Sequence, residues 1–396
     1  MPVHLTEGEF VRRRLAVRGA MAERRLESLC IFSPAQTFYM TGLTFITTER
    51  PICAIYDGGR DKLTLFVPLL ERQRSEEAHV DDVRTYDEYP GERHPMMDLA
   101  ALIDELGLSA HCIGVDSDGY GGGYGYVGPK LSSLVQAQVV AARDLIDRLM
   151  RIKSEEEIGL IRESCRWGAV GHKLLQEYTR PGLNETDISI RASYHASMQM
   201  IRALGTDYRA THFRPLPVET NFRGQIGANS ANPHAMIINA TLQPGDVLIT
   251  RANSEVGGYL SELERTMFLG RPTAEQVRFF DLAVLAQELA LRTIRPGVQC
   301  SDVARSVNDF YRANGIMQYW RAHTGHALGY STHEAPFFDV GDHTVIEPGM
   351  VFSAEPGIFV PGLGGFRHSD TTLVTEAGIE ILTSYPRDLA SLTILV

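Results

Sequence analysis

Two glutamates, Glu262 and Glu264, sit two residues apart in the stretch "GGYLSELERTMFLG", and an arginine, Arg251, lies a short turn upstream. On a strand, side chains two apart share a face. If the intervening "NSEVGG" turns about Glu255–Val256–Gly257, Arg251 faces Glu262 and Ile249 faces Glu264 across the hairpin. Such a set can hold a metal ion, grip a cationic substrate, or brace a sheet as a solvated ion pair. Other reactive residues follow the same segment. Glu355 stands in the apolar run "VFSAEPGIF", where an acid is costly unless paired or used. His323, His326 and His333 crowd "HTGHALGYSTHEAPFF", and Arg367, His368 and Asp370 share "GFRHSDTT". His234 is at a loop-to-strand junction in "ANPHAMII". Taken singly, each histidine suits a structural role; their grouping near glycine and proline favours chemistry.

The elements that must position these residues divide near residue 150. Before it, helix and strand alternate: a helix to about Leu26, strands at "SLCIFS", "ICAIYD" and "KLTLFVP", a helix at "DLAALIDELGL" and a strand at "HCIGVDS". The stretch "GYGGGYGYVGP" reads as a loop, because it lacks the lysine and Ser/Thr of a phosphate loop. Beyond it, a long helical pattern is interrupted at "KSEEE", where Ser154 and Glu157 have capping-box spacing. Another helix runs to about Leu204. From Gly224 on, strands dominate, with helices at 273–293 and 301–314. The expected domains are 1–148, an α/β unit, and 149–396, an α+β unit carrying the reactive residues.

Composition narrows the function. The chain has 396 residues, 44% hydrophobic and 22% charged, ordinary values for a globular protein with a sizeable core. A net charge of -11 argues against nucleic acid as a partner, since phosphate binding needs a concentrated basic surface. It leaves room for an anionic small substrate held by a buried arginine. Five scattered cysteines without CxxC spacing suit a reduced compartment. The N-terminal segment lacks the apolar core of a signal peptide, and no run of 18 apolar residues occurs, so no membrane span and a cytoplasmic location are expected.

The ordered motifs "RLMRIKSEEEIGLIRES", "LQPGDVLIT…GGYLSELERT", "GHALG…HEAPFF", "IEPGMVFSAEPGIF" and "GGFRHSDTTLV" resemble those of the creatinase, prolidase and methionine aminopeptidase superfamily. The resemblance covers nearly the whole chain. It implies a C-terminal pita-bread domain behind a creatinase-like N-terminal domain. Peptidases of that superfamily hold two divalent metals with two aspartates, a histidine and two glutamates. Those positions fall here on Arg251, Glu262, His326, Glu355 and Ser369, so two ligands are missing and one is replaced by a cation. A guanidinium about 4 Å from a dication costs several kcal/mol.

The resemblance therefore points to the metal-free, creatinase-like branch, whose "LERT" glutamate matches Glu264. It implies a homodimeric, metal-independent and cofactor-free hydrolase of a C–N bond in a small carboxylate-bearing guanidino or amidine compound. His234 would be its acid/base, with Glu264 and Glu355 clamping the cationic group. Arg50 would hold the carboxylate across the dimer, and Tyr259, His326 and His333 would contact substrate. "ERHPM", Glu92–Met96, adds some similarity to ectoine hydrolases. Two other readings stay open. One is a diverged metal-dependent Xaa-Pro aminopeptidase or dipeptidase with an ion at Glu262, His326 and Glu355. The other is a non-catalytic pita-bread binding protein.

Overall fold

The computed structural model describes residues 3–89, 91–120, 125–126, 128–212 and 216–396. Part of the "GYGGGYGYVGP" loop falls outside the described residues. The chain forms two units, Leu5–Met150 and Arg151–Val396, the second including the residues up to His4.

The N-terminal unit is built on a six-stranded mixed sheet in the order β4-β3-β2-β1-β5-β6. Its strands are β1 (Ser28–Ile31), β2 (Cys53–Asp57), β3 (Lys62–Pro68), β4 (Asp82–Tyr86), β5 (Cys112–Val115) and β6 (Gln138–Ala141). Helices α1 (Glu7–Glu23), α2 (Pro34–Thr41), α3 (Arg72–Ser75), α4 (Pro95–Glu105) and α5 (Arg143–Arg151) accompany it. Alternation along β1 explains the layering. Leu29 and Ile31 enter one core with Val17, Met21, Leu145 and Ile146. Cys30 and Phe32 enter the opposite core with Met96, Leu99 and Ile103.

In the C-terminal unit, α6 (Glu155–Tyr178) and α7 (Glu185–Leu204) precede the strands β7 (Val218–Asn221), β8 (Val247–Val256), β9 (Tyr259–Leu260) and β10 (Leu263–Leu269). The Ser154–Glu157 capping box that opens α6 forms in both directions, at 3.3 and 2.8 Å. Helices α8 (Ala274–Thr293) and α9 (Cys300–Ala313) follow. The remaining strands are β11 (Gly325–Ala327), β12 (Glu334–Phe337), β13 (Val351–Ala354), β14 (Gly357–Val360), β15 (Gly364–Arg367), β16 (Ser369–Thr375), β17 (Gly378–Ile381) and β18 (Thr393–Ile394). The main sheet runs β12-β11-β13-β16-β10-β8-β7. Helix α6 lies close over it because Gly171 has no side chain: a Cβ there would meet Val218 Cγ1 at 2.8 Å.

The hairpin carrying the two glutamates turns one residue later than its sequence suggests, which shifts its register by two. Gly257 and Gly258 both take positive φ, 56° and 88°, as a tight two-residue hairpin turn requires. Val256 pairs with Tyr259, and the register continues as Ala252 with Leu263 and Arg251 with Glu264. The expected pairing of Arg251 with Glu262 and of Ile249 with Glu264 is therefore corrected: Ile249 pairs with Thr266.

Candidate active site

Register places the reactive residues in two adjacent rows across the sheet. One row reads Asn221, Arg251, Glu264 and Ser369, on β7, β8, β10 and β16. The other brings Thr371, Ser353 and His326 into line on β16, β13 and β11. Glu262, just before β10, joins this row by donating its backbone N–H to Thr371 Oγ1 at 2.9 Å. Glu355 follows β13 directly and donates its N–H to the Thr324 carbonyl at 2.8 Å.

Glu262, Glu264 and Glu355 are all buried, as is His326. His326 Nε2 lies 3.3 Å from Glu355 Oε1 and 3.8 Å from Glu262 Oε1. Its Nδ1–H donates to the Ala327 carbonyl at 3.0 Å, which turns Nε2 to the side facing the carboxylates. Nε2 itself has no hydrogen-bond partner. Ser353 and Ser369 hydroxyls donate to Glu262 Oε1 at 2.7 and 3.0 Å.

Three arginines answer the three acids. Arg251 Nη2 is 3.5 Å from Glu262 Oε2, a diagonal contact across the hairpin. Arg367 reaches two acids, with Nε 2.5 Å from Glu264 Oε2 and Nη1 3.5 Å from Glu355 Oε2. The first approach is off the N–H direction, so it is an ion pair and not a hydrogen bond. Arg223, in the turn after β7, is near enough to Glu264 for their charges to interact. Burial pushes the Glu264 carboxyl up to about 7, against the pull of Arg367 and with the push of Glu262 and Glu355. Burial would also raise Glu355, but Arg367, His323 and His326 hold it well below the usual range. Burial alone would lower His326, yet Glu355 and Glu262 lift it to about 9.

Two groups of donors converge closely enough for a metal ion among the described residues, Glu262/His326/Glu355 and His323/His326/His333. The second group is not a ready site. The rings of His326 and His333 stack at 3.7 Å with only 15° between their planes, and in-plane lone pairs of parallel rings cannot meet at one ion. The first group does fit. Donors sharing an ion at about 2.1 Å stand roughly 3.0–3.4 Å apart, close to the separations found. The Nδ1–H bond to a carbonyl is the support a ligating histidine needs.

Of the residues singled out from sequence, Glu264, Glu355, His326 and His333 come together here. His234 is exposed on the loop before β8, and the carbonyl of its neighbour Pro233 accepts from Arg223 Nη2 at 2.8 Å. The Tyr259 hydroxyl donates to Glu157 at the start of α6, 2.7 Å away, and is committed to that helix. In the N-terminal unit Arg50 pairs with Glu49 at 2.6 Å and Glu88 at 2.7 Å. Arg223 and Arg367 complete the centre, and no spacing in the sequence ties either of them to the acids.

Residues 159–376 match the family described as Metallopeptidase family M24, and residues 13–149 match the Creatinase/Prolidase N-terminal domain. The chain belongs to the M24 family, with the pita-bread fold and the creatinase-type N-terminal domain. A putative dipeptidase of Bacillus subtilis is 26% identical over 308 residues, 76% of this chain and 78% of that protein. The Xaa-Pro dipeptidase of Pyrococcus furiosus is 25% identical over 372 residues, 93% of this chain and 97% of the other. In structure, the dipeptidase PepE of Mycobacterium ulcerans superposes with a TM-score of 0.81 at 24% identity, covering 99% of this chain and all of that one.

These relatives overturn the expectation of a metal-independent, non-peptide amidinohydrolase. A creatinase of Bacillus sp. is also similar, 25% identical over 393 residues, but dipeptidases prevail among the relatives and structures. The geometry agrees with that correction, because the family's histidine and two of its acids still converge. Among the described residues no helix is long and apolar enough to cross a membrane.

Proposed function

We propose that this chain is a metal-dependent peptidase of dipeptidase type, hydrolysing the amide bond of small peptides with one divalent ion held by Glu262, His326 and Glu355. The observation that carries this reading is the convergence of Glu262, His326 and Glu355, three buried donors whose ligand atoms lie within 4.8 Å of one another. A proton on His326 Nε2 balances the two carboxylates beside it, and a divalent ion displacing that proton meets all three donors at once.

When bound, such an ion supplies Lewis acidity to a carbonyl oxygen and to water. The protein's own residues do the rest. Ser353 and Ser369 hold Glu262 Oε1 in place, and Ala327 fixes the His326 tautomer. Glu264, with its carboxyl raised to about 7, can take a proton from water and return it to the departing amine near neutral pH. Arg367 keeps Glu355 ionised for its role as a ligand. The exposed ring of His333 forms part of the entry beside His326 and is a substrate contact. A small substrate with a free carboxylate suits this arginine-rich centre.

The test is hydrolysis of a dipeptide panel, Xaa-Pro members included, by protein stripped with chelator and reloaded with Mn²⁺, Co²⁺ or Zn²⁺. Activity is expected only after reloading, and Glu355→Gln or His326→Ala is expected to lose it by at least 10²-fold. Full activity of the stripped protein, or of the Glu355 variant, refutes the reading.

A further inference from the structure

We infer that the centre accommodates one metal ion only, and that the guanidinium of Arg251 supplies the second positive charge beside it. The inference rests on the metal-dependent reading above.

The two ligand carboxylates are divided in the same way. Each gives Oε1 to the side of His326: Glu355 at 3.3 Å and Glu262 at 3.8 Å. Each gives Oε2 to an arginine, Glu262 to Arg251 and Glu355 to Arg367, both at 3.5 Å. A second ion bridging these carboxylates would need the Oε2 atoms, and both already face fixed cations. Glu264 cannot supply it either, since its Oε2 lies against Arg367 Nε at 2.5 Å. Ser369 and Ser353 contribute hydroxyls that donate to Glu262 Oε1, which satisfies that oxygen without adding negative charge.

Arg251 is built in place. With the Asn253 amide oriented as its surroundings require, its oxygen accepts from Arg251 Nε at 3.0 Å and Nη2 at 2.9 Å. The backbone of Arg251 is fixed between Asn221 and Glu264 in the sheet. Its side chain stays 25% exposed, whereas that of Glu262 is 5% exposed, so the guanidinium reaches from the buried ligand toward the open side. There it is a permanent cation next to the ion. It can share the charge that develops on a carbonyl oxygen during hydrolysis, and it weakens the first ion by competing for Glu262.

Calorimetric titration with Mn²⁺ and elemental analysis of metal-loaded protein test this without reference to turnover. The wild type is expected to bind one ion per chain. Arg251→Ala should bind one ion at least tenfold more tightly, and Arg251→Asp should bind one ion more tightly still. Arg251→Lys, which keeps the charge and guards against misfolding of the others, should bind one ion within about threefold of the wild-type affinity. Two ions in the wild type overturn the inference. So does a single ion of unchanged affinity in both the Ala and Asp variants, and that result leaves the metal-dependent reading standing. No ion bound by the wild type or any variant overturns that reading itself.

Discussion

His172, buried in α6, offers a charge test of how the catalytic sheet is supported. Its Nε2 lies 2.6 Å from Thr250 Oγ1. The Thr250 hydroxyl donates to the Arg265 carbonyl at 3.0 Å and accepts from the Arg265 N–H at 3.1 Å, so His172 Nε2 must be the donor. Burial, reinforced by the Arg265 guanidinium, lowers its pKa to about 3. A histidine with a depressed folded pKa stabilises nothing by titrating. As pH falls below the ordinary value near 6.5 the unfolded chain takes up a proton that the folded one refuses, and stability falls. Between pH 7 and pH 5 this one residue should cost about 2 kcal/mol. Glutamine can keep the donor to Thr250 but cannot titrate. His172→Gln should therefore be less stable than wild type at pH 7 through imperfect packing, with the deficit shrinking by about 2 kcal/mol at pH 5. Urea unfolding in the presence of chelator measures it. Both tryptophans, Trp167 and Trp320, lie in the C-terminal unit, so their fluorescence follows that unit alone. A difference between the two proteins that does not change with pH refutes the neutral, protected histidine.

Two further outcomes are expected. Ion binding near pH 7.5 should release about one proton per chain, because Glu355 and Glu262 keep His326 protonated up to about 9 against the effect of burial. Calorimetry of Mn²⁺ binding in buffers of different ionisation enthalpy reads this, and a buffer-independent enthalpy contradicts it. Arg265 should be a structural residue despite its place beside Glu264. It donates to the carbonyls of Glu264, Ser369, Tyr385 and Pro386 and meets Asp370 at 2.8 Å. Arg265→Met should destabilise the fold by about 3–5 kcal/mol, seen as an earlier urea midpoint, because Asp370 would be left buried without its cation. A variant of wild-type stability with lost metal binding would instead make Arg265 part of the centre.

What the sequence disclosed follows the range over which the physics acts. Helix α6 announces itself through Ser154 and Glu157, which bond each other within one turn. The strands of the N-terminal unit are short apolar runs, and they appear where those runs stand. The hairpin register was harder to read. Its turn could be set at either end of "SEVGG", and only the pair of positive-φ glycines fixes it at Gly257–Gly258. The shift of two residues preserved the face of each side chain but changed which acid Arg251 stands opposite. His234 illustrates the other limit. Counting back from "GD" locates a residue on a loop, but the direction of a loop side chain depends on contacts such as that of Pro233 with Arg223, which are distant in sequence.

The pattern of arginines also explains why loss of two family ligands did not destroy the centre. Three buried carboxylates on one sheet face repel one another, and each pays a desolvation cost of several kcal/mol. In a two-metal relative the ions would offset that cost. Here Arg223, Arg251 and Arg367 come from three separate elements and do so before any ion arrives. The acids can then fold without metal, which a cluster of unpaired carboxylates could not do as readily. The same neutralisation removes the electrostatic reason to recruit two dications. Under the proposed reading, what remains is the convergence of Glu262, His326 and Glu355, three donors for a single ion.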